Sequence, residues 1–122
     1  MGKKVLLIED EPNIIEAISF ILSRDGWEVK THANGHDAMD AVRRRAPDLI
    51  ILDVMLPGKS GYDILGEIRH DADYASTPVL MLTARGQTRD RELAERAGVN
   101  RYMTKPFSNA DVLAAVRDLV GT

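Results

Sequence analysis

The chain has 122 residues, room for one compact domain and too little for two of ordinary size. The expectation is therefore a single domain over 1–122, with any output domain on another polypeptide or removed. Hydrophobic residues make up 44%, charged residues 29% and aromatics 5%, which excludes a disordered chain and implies an aliphatic core. The net charge of -3 lacks the clustered positive field of a nucleic-acid surface, and the lack of cysteine excludes a disulfide framework, a thiolate nucleophile and a thiolate-held metal. No apolar run reaches the length of a membrane span and no signal-peptide pattern precedes the first one. The expected location is cytoplasmic, with neither membrane nor nucleic acid as a partner.

Val5–Ile8 is a four-residue apolar run of the kind that forms a strand buried on both faces. Pro12 suits a first helical position, and Ile14, Ile15, Ile18, Ile21 and Leu22 form one stripe before Gly26, predicting a first helix. Trp27 packs the following turn, and a weaker strand covers Glu28–His32. Ala38, Met39 and Val42 mark a second helix that ends before Pro47, and Leu49–Leu52 is the second strong strand. Tyr62, Ile64, Leu65 and Ile68 mark a third helix, and Val79–Leu82 the third strong strand. Leu93, Ala94 and Ala97 give a fourth helix with a thin apolar face, followed by a weaker strand over Val99–Thr104. The last helix carries Val112, Leu113, Val116, Leu119 and Val120, and Ser108 with Asp111 three residues on supplies a capping-box-like start. Five βα units in strict alternation, with no linker or internal repeat, predict an α/β fold: a parallel sheet covered by helices on both faces.

Chemistry collects just after the apolar runs. The first ends in Glu9-Asp10, the second in Asp53, the third in Thr83, and the last strand in Lys105-Pro106. In an open parallel sheet these positions emerge at the carboxyl edge, where ligands bind beside the point of strand-order reversal. Carboxylates crowded on adjacent strand ends repel one another unless a cation lies among them. An all-oxygen donor set with open positions suits magnesium better than zinc, and His32, His36 and His70 form no ligand constellation; His32 and His36, four apart with Gly35 between them, read as exposed loop histidines. With charge neutralised by the metal, a carboxylate can attack phosphorus without a general base, and the metal, a hydroxyl and an ammonium can share the phosphoryl oxygens. Taken singly the residues have plainer readings. Asp53 could be a turn carboxylate, Thr83 a helix cap, Lys105 a solvated lysine and Tyr102 a half-buried strand tyrosine.

Four stretches occur together in order: Leu7-Ile8-Glu9-Asp10-Glu11-Pro12, Leu52-Asp53-Val54-Met55-Leu56-Pro57-Gly58-Lys59-Ser60-Gly61, Leu82-Thr83-Ala84-Arg85, and Tyr102-Met103-Thr104-Lys105-Pro106-Phe107. At these residues the chain resembles a response-regulator receiver domain of bacterial two-component signalling, over essentially its whole length. The resemblance implies a flavodoxin-like, doubly wound (βα)5 domain with strand order 2-1-3-4-5. It implies that Asp53 accepts a phosphoryl group from a sensor histidine kinase or phosphotransfer protein. Magnesium, with manganese able to stand in, would be held by Asp10, Asp53 and the Met55 main-chain carbonyl, with Glu9 acting through water. Thr83 and Lys105 would contact the phosphoryl group, Thr83 and Tyr102 would form the switch, and the Lys105–Pro106 peptide would be cis. Such a domain is a phosphoacceptor and not a turnover enzyme, though it catalyses its own phosphorylation from small donors and its dephosphorylation. It signals to a downstream protein or output domain through its fourth helix, fifth strand and fifth helix.

The chain departs from the family pattern at Gly98-Val99-Asn100-Arg101-Tyr102, where many relatives carry acidic residues just before the switch aromatic. Arg101 reverses the charge on the face that the transcription-factor branch uses to dimerise. The expectation is a monomer, with a phosphorylation-dependent dimer as the alternative. The rival function is an aspartate-nucleophile phosphohydrolase, but such enzymes place a second acid two residues after the nucleophile, and here that residue is Met55. A flavin carrier lacks its Gly-rich phosphate loop, and a pseudo-receiver is disfavoured by the complete acidic set.

Overall fold

In a computed structural model, residues 3–83, 92–93 and 95–120 of the chain are described. Five parallel strands run β1 (Lys4–Ile8), β2 (Glu28–His32), β3 (Leu49–Asp53), β4 (Val79–Thr83) and β5 (Arg101–Thr104). The described helices are α1 (Pro12–Arg24), α2 (Ala38–Arg45), α3 (Gly61–His70) and α4 (Asn109–Val120). The sheet order is β2-β1-β3-β4-β5, the doubly wound arrangement expected from the sequence. Of the residues that mark the fourth predicted helix, Ala94 lies outside the described residues, as do Ala84 and Arg85; Leu93 is exposed, and its carbonyl accepts the Ala97 N–H at 3.0 Å, the spacing of a helical turn.

Strand burial explains why three runs are legible as strands and two are weaker. Every residue of β3 and β4 is buried, and β1 is buried after Lys4, because helices cover both faces of these central strands. Alternate side chains feed two cores. Leu6, Ile8, Ile50, Leu52, Val79 and Met81 pack under α2 and α3, and Val5, Leu7, Leu49, Ile51, Leu80 and Leu82 pack under α1 and α4. The edge strands β2 and β5 contain no fully buried residue, so their sequences mix polar with apolar residues. Trp27 lies in the α1 and α4 core, as the turn position predicts. Ser108 and Asp111 form the reciprocal cap that opens α4, both bonds at 3.1 Å.

β5 starts at Arg101, two residues later than the sequence suggests, and Asn100 is the reason. Its side-chain Oδ1 accepts the Val79 N–H at 2.8 Å, in the place a strand carbonyl would occupy. The same oxygen accepts from Arg69 Nη2 at 2.6 Å. Arg69 also donates to the carbonyls of Gly98 at 2.8 Å, Thr77 at 2.8 Å and Ala75 at 3.2 Å. One guanidinium at the end of α3 thus ties together the loop before β4 and the turn before β5, the two strands that carry Thr83 and Lys105. Replacing Arg69 by Met keeps the stem and removes every donor. We expect it to cost about 1–3 kcal/mol in urea-monitored unfolding, since partly buried carbonyls would lose a charged partner; a loss below about 0.5 kcal/mol would show that the clamp is not structural.

Candidate functional site

β1 and β3 are neighbours, with Ile8 opposite Leu52, so the residues just beyond them emerge side by side. Glu9 is fully buried, Asp53 is 1% exposed and Asp10 stands at the surface. Carboxylate oxygens of all three lie within 4.8 Å of one another. From the far side of β4, Lys105 reaches in: its Nζ is 3.3 Å from Asp53 Oδ2, 3.3 Å from Glu9 Oε1 and 3.1 Å from Glu11 Oε1. The Lys105 N–H donates to the Thr83 carbonyl at 2.7 Å, and the Lys105–Pro106 peptide is cis. Thr83 closes β4 at 1% exposure, and Tyr102 is half-buried on β5 against the α2 and α3 core.

The loop after β3 is fixed close to Asp53. Asp53 Oδ1 accepts the Met55 N–H at 3.1 Å, and the Gly61 N–H donates to the Val54 carbonyl at 2.8 Å. A Cβ on Gly61 would run into the Asp53 carbonyl, so only glycine lets α3 begin here. Ser60 caps that helix through the Asp63 N–H at 3.3 Å, while Lys59 pairs with Glu67 at 2.9 Å. The Met55 side chain is 60% exposed beside the cluster.

Burial pushes the Glu9 carboxyl from 4.5 up to about 7, and the adjoining Asp53 carboxylate adds to this by favouring a proton between them. The Glu11 amide and the Lys105 charge pull in the opposite direction. Burial also disfavours the Lys105 ammonium, but Asp53, Glu11 and Glu9 outweigh it and hold its proton above the ordinary lysine range. Glu9 Oε2 accepts the Asp10 and Glu11 N–H groups at 3.0 and 3.2 Å, whereas Oε1 is buried and receives no hydrogen bond. An oxygen-only donor set with a buried, under-satisfied carboxylate oxygen fits a hard divalent cation.

Several contacts were not foreseen from the sequence. Glu11 touches Lys105 across 94 positions of chain, and its place just before Pro12 at the start of α1 was the available signal. His32 is no loop residue: it closes β2, and its Nε2 lies 2.6 Å from Asp37 Oδ1, which holds the Asp37 carboxyl below its usual range. His36 is exposed, and His70 Nδ1 lies 2.7 Å from the Gly66 carbonyl. Among the described residues the metal-competent group is Glu9, Asp10 and Asp53 alone.

Comparison with known proteins bears on this arrangement directly. The family model described as the response regulator receiver domain matches residues 5–117. The chain belongs to the response regulator receiver domain family. As a receiver domain it is a phosphorylation-activated element of two-component signalling. It is 41% identical over 116 residues to TcrX of Mycobacterium tuberculosis, a probable transcriptional regulatory protein; the match covers 95% of this chain and 49% of that relative, so the chain spans about half its length. Among solved structures, the receiver domain of the sensor histidine kinase PA1611 of Pseudomonas aeruginosa, with magnesium coordinated in its active-site cleft, is 33% identical. It aligns over 100% of both chains with a TM-score of 0.90. The chemotaxis protein CheY4 of Vibrio cholerae is 28% identical, with a TM-score of 0.91 over 98% of this chain and 99% of its own. Among the described residues no helix of this receiver domain is long and apolar enough to cross a membrane.

The raised Glu9 carboxyl gives a pH test. Its contribution to the stability of the metal-free domain is fully present below 4.5 and is lost as pH rises through about 7, because the folded state binds the proton more tightly than the unfolded one. A bound cation competes for the same oxygens and displaces that proton. We expect the rise in melting temperature caused by magnesium to be small near pH 5.5 and larger near pH 8, because the Glu9 proton is largely gone by then. An equal rise at both pH values would contradict the assignment of Glu9 to the cation's surroundings.

Proposed function

We propose that Asp53 is the phosphoryl acceptor of a single receiver domain spanning the chain, and that a histidine kinase or phosphotransfer protein is the donor. The observation that carries this reading is the meeting of the Glu9, Asp10 and Asp53 carboxylates within 4.8 Å at the sheet edge, with the Lys105 ammonium 3.3 Å from Asp53. An Asp53 oxygen attacks the phosphorus of a phosphohistidine, the P–N bond breaks, and the imidazole leaves with the electron pair and takes up a proton. Small acyl phosphates serve as alternative donors, with a carboxylate leaving in place of the imidazole. Magnesium, or manganese in its place, would neutralise charge on Asp53 and on the phosphoryl oxygens, held by Asp10, Asp53 and the Met55 carbonyl, with Glu9 reaching it through water. Lys105 and the Thr83 hydroxyl take the remaining phosphoryl oxygens. With Thr83 drawn toward the site, Tyr102 repacks and alters the face made by the segment before β5, β5 itself and α4. Hydrolysis of the phosphoaspartate resets the domain. Met55 offers no acid for a leaving alcohol, which weighs against a phosphohydrolase acting by turnover.

Incubation with magnesium and acetyl phosphate should add one phosphoryl mass per chain, none in chelator, and none in Asp53→Asn. Asp10→Ala should weaken magnesium binding at least about tenfold, because it removes a ligand and leaves the nucleophile. Label mapping to another residue, or modification indifferent to chelator, would refute the acceptor assignment.

The output face is proposed to serve a different protein or an output domain, with no membrane or nucleic acid engaged by this domain. Arg101 is engaged within the chain, its Nη1 2.7 Å from Asp118 Oδ2 on α4, and Asn100 Oδ1 is occupied by Arg69 and the Val79 N–H. A two-fold contact through this face would set Arg101 against basic residues of a second copy, which disfavours it. Sedimentation at micromolar concentration should find a monomer with and without beryllofluoride. A mimic-dependent dimer through this face would contradict the monomer reading.

A further inference from the structure

We propose that Glu11 is a positioning residue that tethers Lys105 in the resting domain and so competes with the phosphoryl group for the ammonium. The inference rests on the acceptor role proposed for Asp53.

Glu11 occupies the N-cap position of α1, where a short polar side chain ordinarily accepts a hydrogen bond from the first turn. Here it makes no such bond. Pro12 follows directly and favours the extended backbone that Glu11 adopts, φ -80° and ψ 115°. That geometry sends the carboxylate away from the helix and onto Lys105 Nζ at 3.1 Å, slightly nearer than Glu9 or Asp53 at 3.3 Å. Stabilisation by capping is thus forgone for a contact with the β5 end. Glu9 and Asp53 are buried and belong to the proposed cation site, but the Glu11 side chain is 58% exposed and has no place in it. It can give up Lys105 without leaving a buried charge behind. A cavity of about 400 Å³ bounded by Ile14, Ala17 and Phe107 adjoins the pair, leaving Glu11 room to swing aside.

Each additional carboxylate on one ammonium reduces what that ammonium can offer an incoming anion. A tether this exposed is weak, so its removal should be read as a modest gain in affinity. The probe is beryllofluoride with saturating magnesium, titrated on the whole chain by intrinsic fluorescence, with magnesium affinity measured separately. Glu11→Gln should bind beryllofluoride about two- to fivefold more tightly than wild type, with magnesium affinity changed less than that. The difference should shrink in high salt. Glu11→Asp keeps the charge, but its shorter carboxylate suits the helix cap and falls short of Lys105. It should match Glu11→Gln in beryllofluoride affinity while melting no lower than wild type. Wild-type affinity in both variants would overturn the tether. Wild-type affinity in Glu11→Asp with a gain in Glu11→Gln would also overturn it, leaving only a diffuse effect of charge. Absence of beryllofluoride binding by the wild-type chain would instead remove the acceptor assignment and the tether with it.

Discussion

Three carboxylates, those of Glu9, Glu11 and Asp53, meet one ammonium at the carboxyl edge of the sheet, a fourth from Asp10 adjoins them, and the charge of this group is unbalanced without a cation. Glu9 shows the consequence most clearly, since it is fully buried, has one oxygen without a hydrogen bond, and has its proton affinity raised to about 7. A core that served stability alone would place an apolar side chain there. The fold instead holds Glu9 beside Asp53 and sets Lys105 between Glu9, Glu11 and Asp53. Such a group responds to any added charge, whether proton, divalent cation or phosphoryl group. That responsiveness is what a phosphorylation-activated receiver domain requires.

The arrangement depends on strand order. β1 and β3 are adjacent, so Glu9-Asp10 and Asp53 leave the sheet together. β4 separates β3 from β5, so Thr83 stands between Asp53 and the strand that leads into Lys105. The buried strands β3 and β4 give the rigidity, and the Arg69–Asn100 clamp fixes the start of β5 against α3 and β4. The loop after β3 is shaped by Gly61, whose lack of a side chain lets α3 begin against the Asp53 carbonyl.

Much of this was legible in the sequence, for physical reasons that can be assigned residue by residue. Central strands are apolar throughout because both faces are covered, so Val5–Ile8, Leu49–Leu52 and Val79–Leu82 announced themselves, and the polar residues ending them marked the edge where a site forms. The receiver motifs added the strand order and the cis peptide before Pro106. What the sequence withheld were contacts between residues far apart whose types carry no pattern. Asn100 shortening β5 by acting as a strand carbonyl, Arg69 gathering four acceptors, His32 pairing with Asp37 and Glu11 reaching Lys105 depend on side-chain direction, which neither periodicity nor motif records.

The central claim is that Glu9 is a charge held at a cost until a cation arrives. It is tested most directly by Glu9→Gln, which keeps the shape and the oxygen that accepts the Asp10 and Glu11 N–H groups while removing the charge. In chelator near pH 8 the variant should melt higher than wild type by about 3–8 °C, and its melting temperature should no longer fall between pH 5.5 and 8 on this group's account. A Glu9→Gln domain that melts lower than wild type under those conditions would contradict the account, because it would mean that the ionised carboxylate stabilises the metal-free fold.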